Sequence, residues 1–367
     1  MKKLYLNNIR WITVCLVVIY HCFYMYNGVI KDGVAGSFTS GIQYQDAIQY
    51  ILYPWFMTLL FVISGMCARY ELNKKDPKEF LRKRTTRYLV PSTIGLFVYG
   101  WIQGYFNMSL SNVDTSNIPS FILYPVRAVS GTGVLWYIQM LWIFSLLLVF
   151  IKKFEKGKLY NLTKNMKAWM IVLFGILYYL SAQILNTPVI VVYKFGIYAF
   201  CFFMGYFVFS HDEVINELVK FRWLFTIISL VLGVTYVIRY FGMDYSSGIG
   251  NTNVLCCAYS YFMILAILGL GKKYLDKTNK FMTWMSNKSW GLYIFHYLPL
   301  SVFAYYAKVI YNIPMHPVIY YAITIILEFS IGYLLYEILS RIPFIRWAVL
   351  GIKKDKKNKV KEAKESN

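Results

Sequence analysis

The chain repeatedly offers about twenty consecutive apolar residues, the length of helix that crosses the roughly 30 Å hydrocarbon core of a bilayer. Ten such runs are read, near 8–27, 48–70, 86–106, 133–152, 168–186, 189–209, 222–241, 253–271, 289–309 and 317–339. Inside lipid, backbone groups must pair within the segment or within a closed barrel. Barrel strands need only about ten alternating residues, whereas these runs are longer and continuous. The pattern therefore predicts an all-α, polytopic membrane protein with about ten transmembrane helices. Only 15% of the 367 residues are charged, against about 25% in a soluble domain, which excludes a soluble globular chain.

The formal net charge of +21 raises the question of a nucleic-acid partner. The cations argue against one, because they gather in short segments between apolar runs, as membrane proteins place them to set topology. With the N-terminus in the cytoplasm and ten alternating spans, 33 of the 38 Lys and Arg residues fall on the cytoplasmic side. The outside set is Lys31, Arg127, Lys194, Arg239 and Lys308. Both termini are expected in the cytoplasm, with residues 1–350 forming one transmembrane domain and 351–367 a basic tail without fixed structure. The bilayer is thus an expected partner, and nucleic acid is not. The expected location is a multi-pass position in a cell (plasma) membrane, and abundant Lys, Asn and Tyr point to a bacterium with an AT-rich genome. Met1, Lys2 and Lys3 precede an apolar stretch, as in a signal peptide. Arg10 interrupts that pattern and no small-x-small site follows Tyr26, so an uncleaved first helix is expected.

Cys15, Cys22, Cys67, Cys201, Cys256 and Cys257 all lie within or beside apolar runs. They read as small packing residues, with neither a disulfide framework nor a metal site expected. No strong internal repeat is visible, which weakly disfavours a transporter built from inverted repeats.

Polar groups inside the runs are costly and face a cavity or a partner. In "RWITVCLVVIYH", Arg10 and His21 are eleven residues apart, three turns plus about 20°, so they share one face about 16 Å apart along the axis. Arg10 would sit at the cytoplasmic boundary and His21 well inside the membrane. That suits a long ligand with an anionic end in the cytoplasm and a reactive end in the bilayer. The competing reading makes Arg10 a topology signal and His21 a hydrogen-bonded packing residue. In "FLRKRTTRYLVP", Arg84 and Arg87 are one turn apart and offer a guanidinium fork for phosphate, or again topology charge. Trp136 and Gln139 in "VLWYIQMLW", and Tyr293 and His296 in "SWGLYIFHYLP", are candidate cavity-lining residues. So is Glu328, near the middle of the last run. Interface anchoring and interhelix hydrogen bonding are the plainer readings of these groups.

Taken together, the motifs resemble those of the acyltransferase-3 family of integral-membrane O-acyltransferases. The likeness covers residues 4–345. Arg10 and His21 match the family's R-x10-H pattern, and Arg84 and Arg87 its R-x-x-R. "FVISGM" at 61–66, "LWYI" at 135–138, "YAFCFFMGYFVF" at 198–209 and "SWGLYIFHYLP" at 289–299 follow in the family's order. The resemblance implies an acyl-CoA donor, usually acetyl-CoA, bound from the cytoplasm as substrate, with no permanently held cofactor. It implies an acceptor hydroxyl on a cell-surface or secreted carbohydrate or glycolipid. Arg84, Arg87 and Arg10 would hold the coenzyme A phosphates, and His21 would meet the thioester as general base or as acylated nucleophile. Some relatives carry a hydrolase-like extracellular domain that passes the acyl group on. None is read here, so the membrane domain is expected to finish transfer itself or hand over to a separate protein. The longest outer loop, 107–132, is the expected acceptor contact. Two other functions fit the same spans: a flippase or transporter for a polysaccharide or lipid-linked sugar, and a non-catalytic envelope-assembly subunit.

Overall fold

The computed structural model describes residues 3–30, 33–187, 192–247 and 249–353. It is helical, with no strand among the described residues. In chain order the helices are α1 Leu4–Met25, α2 Ala47–Leu72, α3 Pro77–Arg84, α4 Trp101–Leu110, α5 Ser120–Ser130, α6 Trp136–Glu155, α7 Lys158–Leu162, α8 Ala168–Ser181 and α9 Phe195–Phe207. They continue as α10 Asp212–Lys220, α11 Arg222–Tyr240, α12 Ile249–Thr252, α13 Val254–Tyr274, α14 Lys280–Phe295, α15 Tyr297–Ala304, α16 Pro317–Leu339 and α17 Pro343–Leu350.

Six helical stretches are long and apolar enough to cross a membrane: those of α1, α2, α6, α11, α13 and α16. This is the helical architecture of a membrane protein. Burial sorts the six by position. The α2 stretch is 83% buried and forms the centre, while those of α11 and α16 are 22% and 28% buried and form the lipid-facing flank. The other four expected runs are helical too, but shorter or interrupted. Helix α8 has 14 residues and α9 has 13, each about 20 Å long, and residues 188–191 between them lie outside those described. The run 86–106 passes through π-helical turns at Thr85–Leu89 and Leu96–Gly100. Pro91 lies between these turns, where its missing N–H breaks the ladder. In the run 289–309, Pro299 likewise withholds an N–H from Phe295, at the junction where α14 gives way to α15.

The stretch 107–132 was expected as a loop, and the structure corrects this. Within it lies α5, folded back along α4. Glycines permit this approach. A Cβ at Gly104 would come within 2.7 Å of the Arg127 carbonyl carbon, and one at Gly131 within 2.5 Å of that of Gly100. The outer face of α5 shows Phe121, Ile122, Tyr124 and Val129 to the surroundings. Of the expected basic tail, residues 354–367 lie outside those described, as does Lys31.

Helix α1 runs through the middle of the bundle against α2, α13, α14, α15 and α16. Its first turn is fixed by the loop after α13. Asn8 Nδ2 donates to the carbonyls of Leu275 and Lys277, each at 2.7 Å, and Asp276 accepts the Tyr5 N–H at 3.2 Å. This contact sets the height and rotation of the helix that carries Arg10 and His21.

Candidate functional site

A cavity of about 860 Å³ opens at the basic end of the bundle. Helix α1 contributes Arg10 and Val14 to its wall, α2 contributes Leu60, Ser64, Cys67 and Glu71, and α6 contributes Tyr137 and Leu141. Helix α14 adds Ser289, Trp290 and Tyr293. The mouth is formed by Lys75, α3, the first π turn and Gly351–Lys353. Seven cations line it (Arg10, Lys75, Arg82, Lys83, Arg84, Arg87 and Lys353) against two acids, Glu71 and Glu79. Such an imbalance, partly walled from water, attracts and holds anions.

The cations are not equivalent. Arg84 is buried, with Nη2 on Glu71 Oε2 at 3.2 Å and Nη1 on the Tyr88 hydroxyl at 3.0 Å. Lys83 takes the other Glu71 oxygen at 2.6 Å. Lys75 pairs with Glu79, whose hydrogen bond holds the Lys75 ammonium above its ordinary range. Arg10 Nη2 donates to Cys67 Sγ at 2.8 Å. The Arg87 guanidinium lies 4.1 Å from the centroid of the Trp290 ring and reaches the Leu350 carbonyl at 3.4 Å. Arg10 and Arg87 thus face the cavity without a carboxylate among the described residues, while Arg84 is committed to the protein. The expected Arg84–Arg87 pair does share one cavity, with divided roles.

The inner end is narrower and more neutral. The Tyr137 hydroxyl bonds Ser64 Oγ at 2.9 Å and donates to the Leu60 carbonyl at 3.1 Å. Tyr293 donates to the Val134 carbonyl, and its ring lies 5.9 Å from that of Tyr137.

His21 does not line this cavity. It sits beyond Val14 by seven residues, about 10 Å along α1, with fully buried Val17 on the same face between them. There it meets His296, with His21 Nδ1 and His296 Nε2 3.1 Å apart. His296 Nδ1 faces the carbonyls of Leu292 at 3.0 Å and Tyr293 at 2.9 Å. Carbonyls only accept, so Nδ1 of His296 carries a proton. In the neutral pair His296 Nε2 then accepts from His21 Nδ1–H, which leaves the lone pair of His21 on Nε2. His21 is partly exposed, whereas His296 is wholly buried. The rings of Tyr297 and Tyr20 edge onto His21 at 5.1 and 5.2 Å. Tyr293 is the link between the two regions. Its ring lines the cavity and its carbonyl orients His296.

Three other sequence candidates lie outside the cavity wall. Gln139 donates to the Ser92 carbonyl at 3.1 Å and accepts from Tyr193, tying α6 to the interrupted run. Trp136 packs against Tyr198, with ring centroids 5.4 Å apart. Glu328 is fully buried in α16 with no partner for either oxygen among the described residues. It lies one turn before Gly332, where α16 meets the His296 backbone. Conversely, the cavity wall includes Ser64, Trp290 and the segment 351–353, which sequence reasoning missed, although the first two stand inside motifs already quoted.

A family model described as an acyltransferase domain matches residues 3–337, nearly the whole chain. The chain belongs to the acyltransferase-3 family. No curated protein and no solved structure matches it.

As an acyltransferase-3 protein, the chain can be read motif against motif. "FVISGM" of α2 and "YAFCFFMGYFVF" of α9 are two halves of one contact. A Cβ on Gly65 would strike the Phe202 carbonyl, and one on Gly205 the Val62 carbonyl. The two backbones therefore touch directly, and α2 is held where Ser64 and Cys67 enter the cavity.

Proposed function

We propose that this membrane acyltransferase takes an acyl group, acetyl first among the candidates, from cytoplasmic acyl-CoA. It would deliver that group to a hydroxyl of a cell-surface or secreted carbohydrate. The observation that carries the reading is the 860 Å³ cavity with its cationic mouth, whose wall follows the face of α1 that leads from Arg10 through Val14 toward His21. Coenzyme A is polyanionic at one end and carries the thioester at the other. Arg87, Arg10 and Lys353 of the mouth would neutralise the phosphates. Arg84 would shape the site through Glu71. The arm would enter between Tyr137 and Tyr293, and movement of Tyr293 would admit the thioester to the histidine pair.

His21 Nε2 would then take the proton of the acceptor hydroxyl. The oxygen attacks the thioester carbon, the carbon–sulfur bond breaks, and the thiolate leaves with that proton. His296 would act through His21, fixing its tautomer, as a second ring does for a working histidine. Direct transfer and transfer through an acyl-histidine both fit this arrangement.

The test uses acetyl-labelled acetyl-CoA, the purified chain in nanodiscs and an envelope glycan fraction. Label in the glycan together with acceptor-dependent release of free coenzyme A is expected. Movement of sugar without consumption of thioester would replace this reading with a flippase.

A further inference from the structure

The family match ends at residue 337, yet the cavity mouth is completed by residues that follow it. Helix α17 begins with Pro343 at its first turn and closes at Gly351, whose φ of +61° is left-handed. Two of its contacts are backbone against backbone. A Cβ on Gly351 would come within 2.8 Å of Arg87 Cα, and one on Gly95 within 2.8 Å of the Ala348 carbonyl oxygen. The segment is therefore seated on the interrupted helix on both sides of Pro91.

A helix leaves its last carbonyls without internal partners, and these carry partial negative charge. Here the Leu350 carbonyl accepts from Trp290 Nε1 at 3.0 Å and from Arg87 Nη1 at 3.4 Å. Trp290 in turn supplies the ring over which the Arg87 guanidinium lies. One backbone oxygen thus aligns an aromatic plane and a cation, and Arg87 so held lines the cavity. Gly351, Ile352 and Lys353 then run along the mouth, and exposed Lys353 has no ion-pair partner among the described residues.

We propose that Pro343–Lys353 is a working part of the donor site. The Leu350 carbonyl makes Arg87 a fixed ligand for an anionic, phosphate-bearing nucleotide, and Lys353 adds a second charge to it. This inference rests on the acyl-CoA reading above. Arg87 and Lys353 bind, whereas Leu350 and Gly351 are positioning residues.

The experiment is calorimetric titration of coenzyme A into the full chain in nanodiscs at two salt concentrations. Gly351→Val forces a side chain against Arg87 and should weaken binding about tenfold or more, and Lys353→Glu about tenfold. The Lys353→Glu variant should also lose part of its salt dependence. Lys353 is exposed, so its substitution tests the inference even where Gly351→Val does not fold. Wild-type affinity and salt slope in Lys353→Glu, with wild-type affinity in any folded Gly351→Val, would overturn the assignment and leave the donor reading intact. A wild-type chain that fails to bind coenzyme A would remove both.

Discussion

His21 and His296 form a pair in which the buried ring decides what its neighbour can do. The Leu292 and Tyr293 carbonyls fix the proton on His296 Nδ1, and His296 fixes the proton on His21 Nδ1. His21→Ala should reduce acyl transfer by about a hundredfold to ten-thousandfold, the usual worth of a general base. The protein should still accumulate in the membrane, and mass spectrometry of envelope carbohydrate reads the outcome. Full acylation by that variant would remove the assignment. At the mouth the two arginines should separate cleanly. Arg84→Ala leaves Glu71 partly unpaired and should cost about 3 kcal/mol of stability, read as a lower melting temperature. Coenzyme A affinity of the folded fraction should stay within about threefold. Arg87→Ala should do the reverse, with a smaller fall in melting temperature than Arg84→Ala, from the lost Trp290 and Leu350 contacts, and affinity weakened about tenfold. Equal effects in both assays would contradict the division of labour.

Among the elements, the α2–α9 contact is unforgiving, because backbone meets backbone at Gly65 and Gly205. Gly205→Val should cost about 1–3 kcal/mol by overpacking. It should also widen the cavity wall at Ser64, measurable as faster modification of Cys67 by a small thiol reagent. An unchanged melting temperature with unchanged Cys67 reactivity would mean the helices are free to part. Much of this was legible beforehand. The apolar runs marked the helices, and the eleven-residue spacing put Arg10 and His21 on one face. What could not be read was pairing across the bundle. The partner of His21 lies 275 residues away at the α14–α15 junction, and no periodicity links the two. The return of α5 along α4 was also hidden, since "SFILYPVRAVS" contains a proline and is too short to announce a membrane element. Gln139 looked like a cavity residue because it is a polar group one turn from Trp136 inside an apolar run. Its amide is instead consumed by Ser92 and Tyr193.

For the whole molecule, the asymmetry of charge makes a prediction about sidedness. A cysteine at Lys158, exposed near the basic end, and one at exposed Ser116 should react from opposite faces of a sealed cell. An impermeant maleimide added outside is expected to label Ser116→Cys and spare Lys158→Cys. Labelling of both from one side would contradict the orientation on which the donor reading depends. The cationic mouth and the histidine pair lie at different positions along one helix.

The α4–α5 hairpin has a consequence for the lipid around the protein. Helix α5 has 11 residues, about 16 Å of rise, roughly half the thickness of a hydrocarbon core. Acyl chains that cover Phe121, Ile122 and Val129 have no full-length apolar wall to follow there. A bilayer beside the hairpin is expected to thin, because a short apolar span draws the leaflet inward.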